Sequence, residues 1–436
     1  MKRTIIVISV LIPFLTHAQN TLYFMDRLPQ SSNYNPAIVP NARFFIGLPG
    51  LGGYSAQAYN SGFHYNWLDN FIESVGNEGY NPDAVVRSIG NYNRFFSETR
   101  GNILSFGFKR KEKGYFLFNA SINSSSKMEV ASDIVYLLTD FDDIAPDDFP
   151  IVVDDIDLLT NNYLSLGFTY SHIIDDNLTL GITPHINFNL MGIQTKNISY
   201  SVNRQEMGND DYDYDQSFTG EVILGLYGEI NPDAVEGNIL NLEEGLLPDN
   251  WPENTRFSDL FRNKSLSLDI GATYKLNEWM FSASVLNIGA SHWKTNGYIL
   301  NGNSNDEITI RENEKIKIGI PPQIYLGAKR QFSEKWNYAF LFHNTFYKGG
   351  SNASATLSLN GEIGKILSTS VSYTAGYKFD NIGLGFRLRF LPGTDLFFIT
   401  DNVIQSINYK NAYRLSAAVG INLSFGIKNE TPGVDG

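Results

Sequence analysis

An all-β fold is predicted for this chain: a transmembrane antiparallel β-barrel of about fourteen strands with an N-terminal plug-like segment. Three observations predict it. The first is a two-residue period. In KSLSLDIGATYKL, residues 264–276, Leu266, Leu268, Ile270, Ala272, Tyr274 and Leu276 alternate with Ser265, Ser267, Asp269, Gly271, Thr273 and Lys275. Such a run puts an apolar row on one sheet face and a polar row on the other. The second is composition: 14% aromatic residues, 38 glycines and only 18% charged residues, against about 25% charged in an average soluble domain. The third is run length. Tyr413 to Ile427 alternates throughout, well beyond the roughly five or six residues of a soluble strand. At about 3.3 Å per residue and about 45° tilt, such a run crosses the apolar band of a bilayer.

The elements follow in order. Residues 1–18 carry Lys2 and Arg3, an apolar run from Thr4 to Leu15, and Thr16-His17-Ala18, the pattern of a secretory signal cleaved before Gln19. The apolar run is shorter than the roughly 20 residues of a membrane-spanning helix. Residues 19–53 are broken by Pro29, Asn35-Pro36, Pro40 and Pro49-Gly50. They are predicted to form the plug-like segment, packed on or inside the rest, with Asn35, Pro36 and Ala37 at its centre. Residues 54–427 make the barrel and 428–436 a tail. A helical patch is expected near Pro82 to Gly90, and long loops near 131–160, 201–217, 231–262 and 296–314. The first two loops are acidic, with TDFDDIAPDDFPIVVDDID and NDDYDYD. Turns such as Leu276-Asn277-Glu278 are short, so long loops on one side face short turns on the other, the asymmetry of outer-membrane barrels.

The apolar row meets either a second protein layer, as in a secreted sandwich, or lipid. Lipid is favoured because the opposite row is Gly, Ser, Thr and Asn with a few charges, which suits a lumen. The candidate lumen-facing groups are Asp269, Lys275, Arg387, Arg389 and Arg414. Trp279, Trp336, Tyr338, Tyr377 and Tyr413 fall at run ends, like an interfacial girdle. Pro184 and the pair Pro321-Pro322 sit inside strand runs. Proline cannot donate to a ladder, so each marks a bulge or a candidate gap in the wall. The insertion at 240–261 carries Leu246, Leu247, Trp251 and Phe257, an apolar loop suited to collecting greasy ligands or to packing on a partner.

Other chemistry has little support. The chain has no Cys, hence no disulfide framework, thiolate metal site or acylated lipobox. A net charge of −13 disfavours nucleic acid, whose phosphates need a basic surface. The six His show no H-E-x-x-H spacing, and G-x-S-x-G and Gly-rich phosphate loops are absent, so no catalytic residue, metal or cofactor is expected. Asp211-Tyr212-Asp213-Tyr214-Asp215 alternates carboxylates but lacks the Gly and terminal Glu of a calcium loop.

Three stretches carry a resemblance: Tyr34-Asn35-Pro36-Ala37, LDIGATYKLNEWMFSASVLNIG at 268–289, and FFITDNVIQSINYKNAYRLSAAVGINLSFG at 397–426. Together they resemble the fatty-acid-transporter-like (FadL-like) outer-membrane barrels of Bacteroidota, the group that includes the barrel subunit of the type IX secretion apparatus. The closest likeness is to a further Bacteroidota branch of that group. The resemblance implies a fourteen-stranded barrel with an N-terminal plug, in contact with outer-membrane lipid. It further implies passive diffusion of hydrophobic small molecules in transporting members, or else a non-transporting subunit or docking platform of a secretion or assembly complex.

Overall fold

The computed structural model describes residues 19–62, 64, 66–67, 70, 82–137, 139, 141, 144–208, 211–236, 239–240, 257–302, 308–364, 366–376 and 381–426. In chain order the strands are β1 (Phe44–Gly47), β2 (Tyr54–Asn60), β3 (Tyr92–Arg110), β4 (Gly114–Ala131), β5 (Ile151–Asp154), β6 (Asp157–Ile173), β7 (Leu178–Gly208) and β8 (Asp211–Leu226). They continue with β9 (Val235–Glu236), β10 (Ile239–Leu240), β11 (Lys264–Leu276), β12 (Trp279–Trp293), β13 (Gly297–Gly302), β14 (Ile308–Arg311), β15 (Ile316–Gly319) and β16 (Gln323–Ser333). The last six are β17 (Trp336–Tyr347), β18 (Gly350–Ile363), β19 (Leu367–Ala375), β20 (Asn381–Leu391), β21 (Thr394–Thr400) and β22 (Arg414–Phe425).

Pairing is antiparallel throughout and closes on itself. β1 and β2 share one place in the wall, each bonded to β3 and to β22. β15 and β16 share another beside β12. With those two pairs each counted once, β3, β4, β6, β7, β11, β12 and β17 to β22 complete a closed barrel of 14 strands. Closure pairs the strands of the wall on both sides over most of their length, as a bilayer demands. The short turns at 111–113, 174–177, 277–278, 334–335 and 392–393 lie at one end; the long connections lie at the other, together with the two-residue turn at 348–349.

Side-chain burial reports which solvent the apolar row meets. In β11, Leu266 is 71% exposed and Ile270 and Tyr274 also face outward, whereas Ser265, Ser267, Asp269 and Thr273 are buried. β22 behaves alike: Val419 and Phe425 point out, and Arg414, Ser416, Asn422 and Ser424 point in. An apolar exterior around a polar interior is inverted relative to a water-soluble sandwich and matches hydrocarbon. At the short-turn rim, Trp279 packs edge-on against Tyr338, and the Arg330 guanidinium lies 5.7 Å over Trp279, an amphipathic cluster suited to the headgroup level.

Four expectations change. Residues 44–47 belong to the wall and not to the plug-like segment, because Phe44–Gly47 pairs on both sides. The acidic break near 201–217 is largely strand: β7 runs on to Gly208 and β8 returns antiparallel from Asp211. The Asp-Tyr alternation that read as a loop is itself a two-residue period, and the Arg204 guanidinium lies 3.4 Å over the Tyr212 ring. The stretch 296–314 contributes β13 and β14, and 151–154 contributes β5. Together β5, β7, β8, β13, β14, β10 and β9 extend the sheet beyond the barrel on the long-loop side. The helix expected near 82–90 spans Pro82–Ser88. Among the described residues no helix is long and apolar enough to cross a membrane.

Candidate functional site

Two pieces of chain fill the lumen. From the short-turn side comes the segment 19–43, whose Gln19–Leu22 helical turn is wholly buried. Thr21 bonds Asp401 and Ser372, Ser284 Oγ donates to the Tyr34 carbonyl at 2.6 Å, and Gln30 and Asn422 exchange amide hydrogen bonds of 2.8 and 3.0 Å. Two ion pairs, Asp26 with Lys329 and Arg27 with Glu362, tie its lower part to the wall. Tyr23, Phe24, Leu28 and Tyr34 pack on inward-facing Leu286, Tyr325, Leu341 and Phe397.

Asn35, Pro36 and Ala37 sit against the wall. Asn35 Nδ2 donates to Tyr23 Oη (3.1 Å) and the Ala272 carbonyl (3.3 Å), Asn35 Oδ1 accepts from Ala37 N (2.9 Å), and Pro36 O accepts from Ser171 Oγ (2.6 Å). The turn fits because Gly181 of β7 and Gly271 of β11 are register partners. Their missing side chains leave a notch: a Cβ on Gly181 would lie 2.1 Å from Pro36 C, and one on Gly271 2.1 Å from Asn35 Oδ1.

From the long-loop side the lumen is covered by a ribbon. Ala290–Trp293 of β12 pairs with β15, and this ribbon bends inward. Asn161 Nδ2 on β6 donates to Gly319 O at 2.8 Å, Asn189 Nδ2 on β7 donates to His292 O at 2.8 Å, and the Trp293 indole rests on Gly192 and Gly225. Tyr59, Phe96, Leu159, Trp293, Ile316, Ile318 and Tyr347 form an apolar cluster there.

Between plug and ribbon lies a chamber of about 70 Å³ lined by Tyr34, Glu98, Arg100, His185, Asp269 and Pro321, among others. That is room for a few waters, not for a hydrocarbon. His185 Nε2 lies 2.7 Å from Asp269 Oδ2, Ser165 Oγ lies 3.1 Å from His185 Nδ1, and Asn287 N donates to Asp269 Oδ1 at 2.8 Å. The Ser-His-Asp order is that of a proton relay, but the chamber has no space for an ester beside Ser165. Below the plug, a vestibule of about 1290 Å³ is lined by Arg27, Arg43, Lys109, Lys113, Lys275 and Lys329, with Glu112 and Glu334.

Of the candidate lumen groups Asp269, Arg387 and Arg414 are buried, and the five are spread over separate places. Asp269 lies in the chamber and Lys275 at the vestibule. Arg387 and Arg389 both grip buried Asp395, at 2.7 and 2.9 Å, and Arg414 bonds Gln57 at 3.4 Å on the opposite side of the plug. A shared cluster of Asp269, Arg387 and Arg389 does not form. Pro321 and Pro322 lie at a break: β12 pairs with β16 as far as Leu286–Gln323 and with β15 from Ala290–Gly319, which leaves three residues of each strand outside the ladder. Asn287 Nδ2 to Pro321 O, at 3.3 Å, bridges the break. Pro184 keeps its place beside Leu268 of β11 while the β6 ladder skips from His185 to Ile182. Leu246, Leu247 and Trp251 lie outside the described residues, as does the side chain of Phe257. Among the described residues no group of three or more His, Asp or Glu converges to hold a metal. Glu98, Asp395, Asp401 and the Gly181–Gly271 notch were missed; only the inward parity of Phe96, Glu98 and Arg100 hinted at Glu98.

The fold and its lumen define a transmembrane antiparallel β-barrel with an N-terminal plug-like segment. Residues 36–317 and 303–401 match the model of a protein family described as Family of unknown function (DUF5723), and the chain belongs to that family. No curated protein matches the sequence. Among solved structures, the chain is similar to the Ralstonia pickettii toluene transporter TbuX (9% identity, 91% of this chain and 94% of that one, TM-score 0.42). It is also similar to the Pseudomonas putida toluene transporter TodX (10%, 90% and 92%, 0.42) and to a Pseudomonas aeruginosa FadL homologue (8%, 92% and 94%, 0.44).

Proposed function

We propose that this barrel is a passive outer-membrane conduit for hydrophobic small molecules, closed at rest by the segment around Asn35-Pro36-Ala37 and discharging sideways through the break at Pro321. One observation carries the reading: the interior has a greasy side. Ile316, Ile318 and Ile320 are buried at alternate positions. They lead from the Trp293 cluster past the break to Leu286 and Tyr325, which the plug covers. A pore for polar solutes needs no such surface, and a hydrophobe leaving through a wall gap enters lipid without crossing water. Pro184 is the weaker exit, since one of its two ladders is intact. The apolar loop with Leu246, Leu247, Trp251 and Phe257 serves as collector.

With the plug seated, the chamber admits no hydrophobe, so transport requires plug displacement. Removal of residues 20–42, which spares β1, is expected to raise liposome uptake of a monoaromatic tracer. Unchanged uptake in a correctly assembled barrel would sink the reading. A second reading, a non-transporting subunit or docking platform of a secretion or assembly complex, draws on the sheet extension built by β5, β8, β13 and β14, which no conduit needs. Pull-down in mild detergent separates them: a stoichiometric partner favours the platform, and a barrel recovered alone favours the conduit.

A further inference from the structure

We propose that the lumen binds the protein's own mature amino terminus: Glu98 and Asp401 capture the ammonium created when the Ala18–Gln19 bond is cut, so that processing and plug seating are one event. The inference rests on the signal cleavage expected from the sequence and on the plug's position, not on the transport reading. Water hydrolyses the peptide bond, which leaves a carboxylate on Ala18 and an ammonium on Gln19.

Gln19 is 2% exposed, with one acid on its side chain and a second on the two residues that follow. Its Nε2 donates to Glu98 Oε2 at 3.4 Å, and its Oε1 accepts from Tyr325 Oη at 2.8 Å. The next two backbone N–H groups, of Asn20 and Thr21, donate to Asp401 at 3.1 and 2.9 Å, and Thr21 Oγ1 adds a third bond. Glu98 and Asp401 are themselves 7% and 1% exposed. The groups bonded to Glu98 are all neutral: Gln19, Gln57, Gln323 and Tyr347. Among the described residues neither acid has an ion-pair partner within 4.0 Å, and the Arg414 guanidinium donates to Gln57 instead. The charge of buried Arg414 reaches both acids at longer range, but one cation against two buried carboxylates leaves the site one positive charge short, which is costly. An ammonium with three donors on Gln19, whose side chain bonds Glu98 and whose next two residues bond Asp401, meets that need.

The same geometry protects Gln19 from becoming a lactam. Cyclisation requires the neutral α-amine to attack the side-chain carboxamide carbon and expel ammonia. Here the amine is engaged by the acids and not free to attack, and the carboxamide is fixed between Tyr325 and Glu98.

The test uses protein extracted from outer membranes. Intact mass and N-terminal sequencing are expected to show a chain starting at Gln19 that has lost no ammonia. Brief acetylation at neutral pH, with exposed Lys111 as internal reference, should modify the α-amine about a hundredfold more slowly in the folded than in the urea-unfolded protein. In E98Q/D401N the protection should fall at least to the level of Lys111 while the barrel still migrates as folded on an unheated gel. A different first residue, a cyclised Gln19, labelling at the unfolded rate, or full protection in the folded double variant each overturns the proposal. Should the double variant not assemble, the wild-type labelling ratio decides alone.

Discussion

Replacing Gly181 by Ala tests whether the notch holds the plug. The new Cβ would fall 2.1 Å from Pro36 C, 2.2 Å from Pro36 O and 2.4 Å from Ala37 N. All three are backbone atoms, so no side chain can swing aside. The turn must retreat by more than an ångström to reach ordinary contact, and that retreat breaks the Ser171-to-Pro36 bond and the weaker Asn35 bond to Ala272. Overpacking costs about 1–3 kcal/mol and each lost hydrogen bond about 1 kcal/mol. A total near 4 kcal/mol shifts the seated-to-unseated ratio by a factor of about a thousand. Planar-bilayer conductance, with limited proteolysis of residues 19–43 as a second readout, measures that ratio. Gly350→Ala is the control, since nothing lies within 4 Å of its Cβ position. A Gly181→Ala barrel that assembles, conducts like wild type and keeps residues 19–43 protected would refute the notch and, with it, the plug argument.

Other perturbations are expected to act as follows. Trp293→Ala empties the centre of the ribbon cluster and should cost about 3–5 kcal/mol; a lower unfolding temperature on heated-gel migration, with raised conductance, checks it. Arg387→Ala removes a buried guanidinium (3% exposed) from fully buried Asp395 and should destabilise by about 3 kcal/mol or more. Arg389→Ala, at a more exposed position, should cost less, and the reverse order in urea unfolding would count against the assignment. At the β6–β7 turn, the backbone N–H groups of Leu178 and Asn177 hold the Asp175 carboxyl below the usual carboxylate range. Its stabilisation of the turn is present above the ordinary carboxylate pKa and fades as pH falls through the depressed one. Amide exchange at Asn177 and Leu178 should therefore accelerate only in acid, and Asp175→Asn should abolish that pH dependence.

Much of this molecule is written locally. A two-residue period fixes which side chains share a sheet face, and the chemistry of the rows, Leu and Phe against Ser and Asn, says that one meets hydrocarbon and the other a lumen. From that pattern the barrel and its strand number could be read in advance. The same pattern misleads where acids interrupt it: Asp211 to Asp215 alternates with tyrosines, and the charge suggests a loop where the period signals strand. What the lumen groups touch was not legible. Asp269 meets His185, 84 residues away, and Thr21 meets Asp401, 380 residues away. Nothing in a strand's own periodicity encodes which distant side chain stands opposite across a closed barrel. Closure and register set those meetings, align Gly181 with Gly271 to receive Pro36, and bend the Trp293 ribbon inward over the mouth. The sequence by itself determined the solvent on each face of the wall; only the closed tertiary structure decided what occupies the space inside.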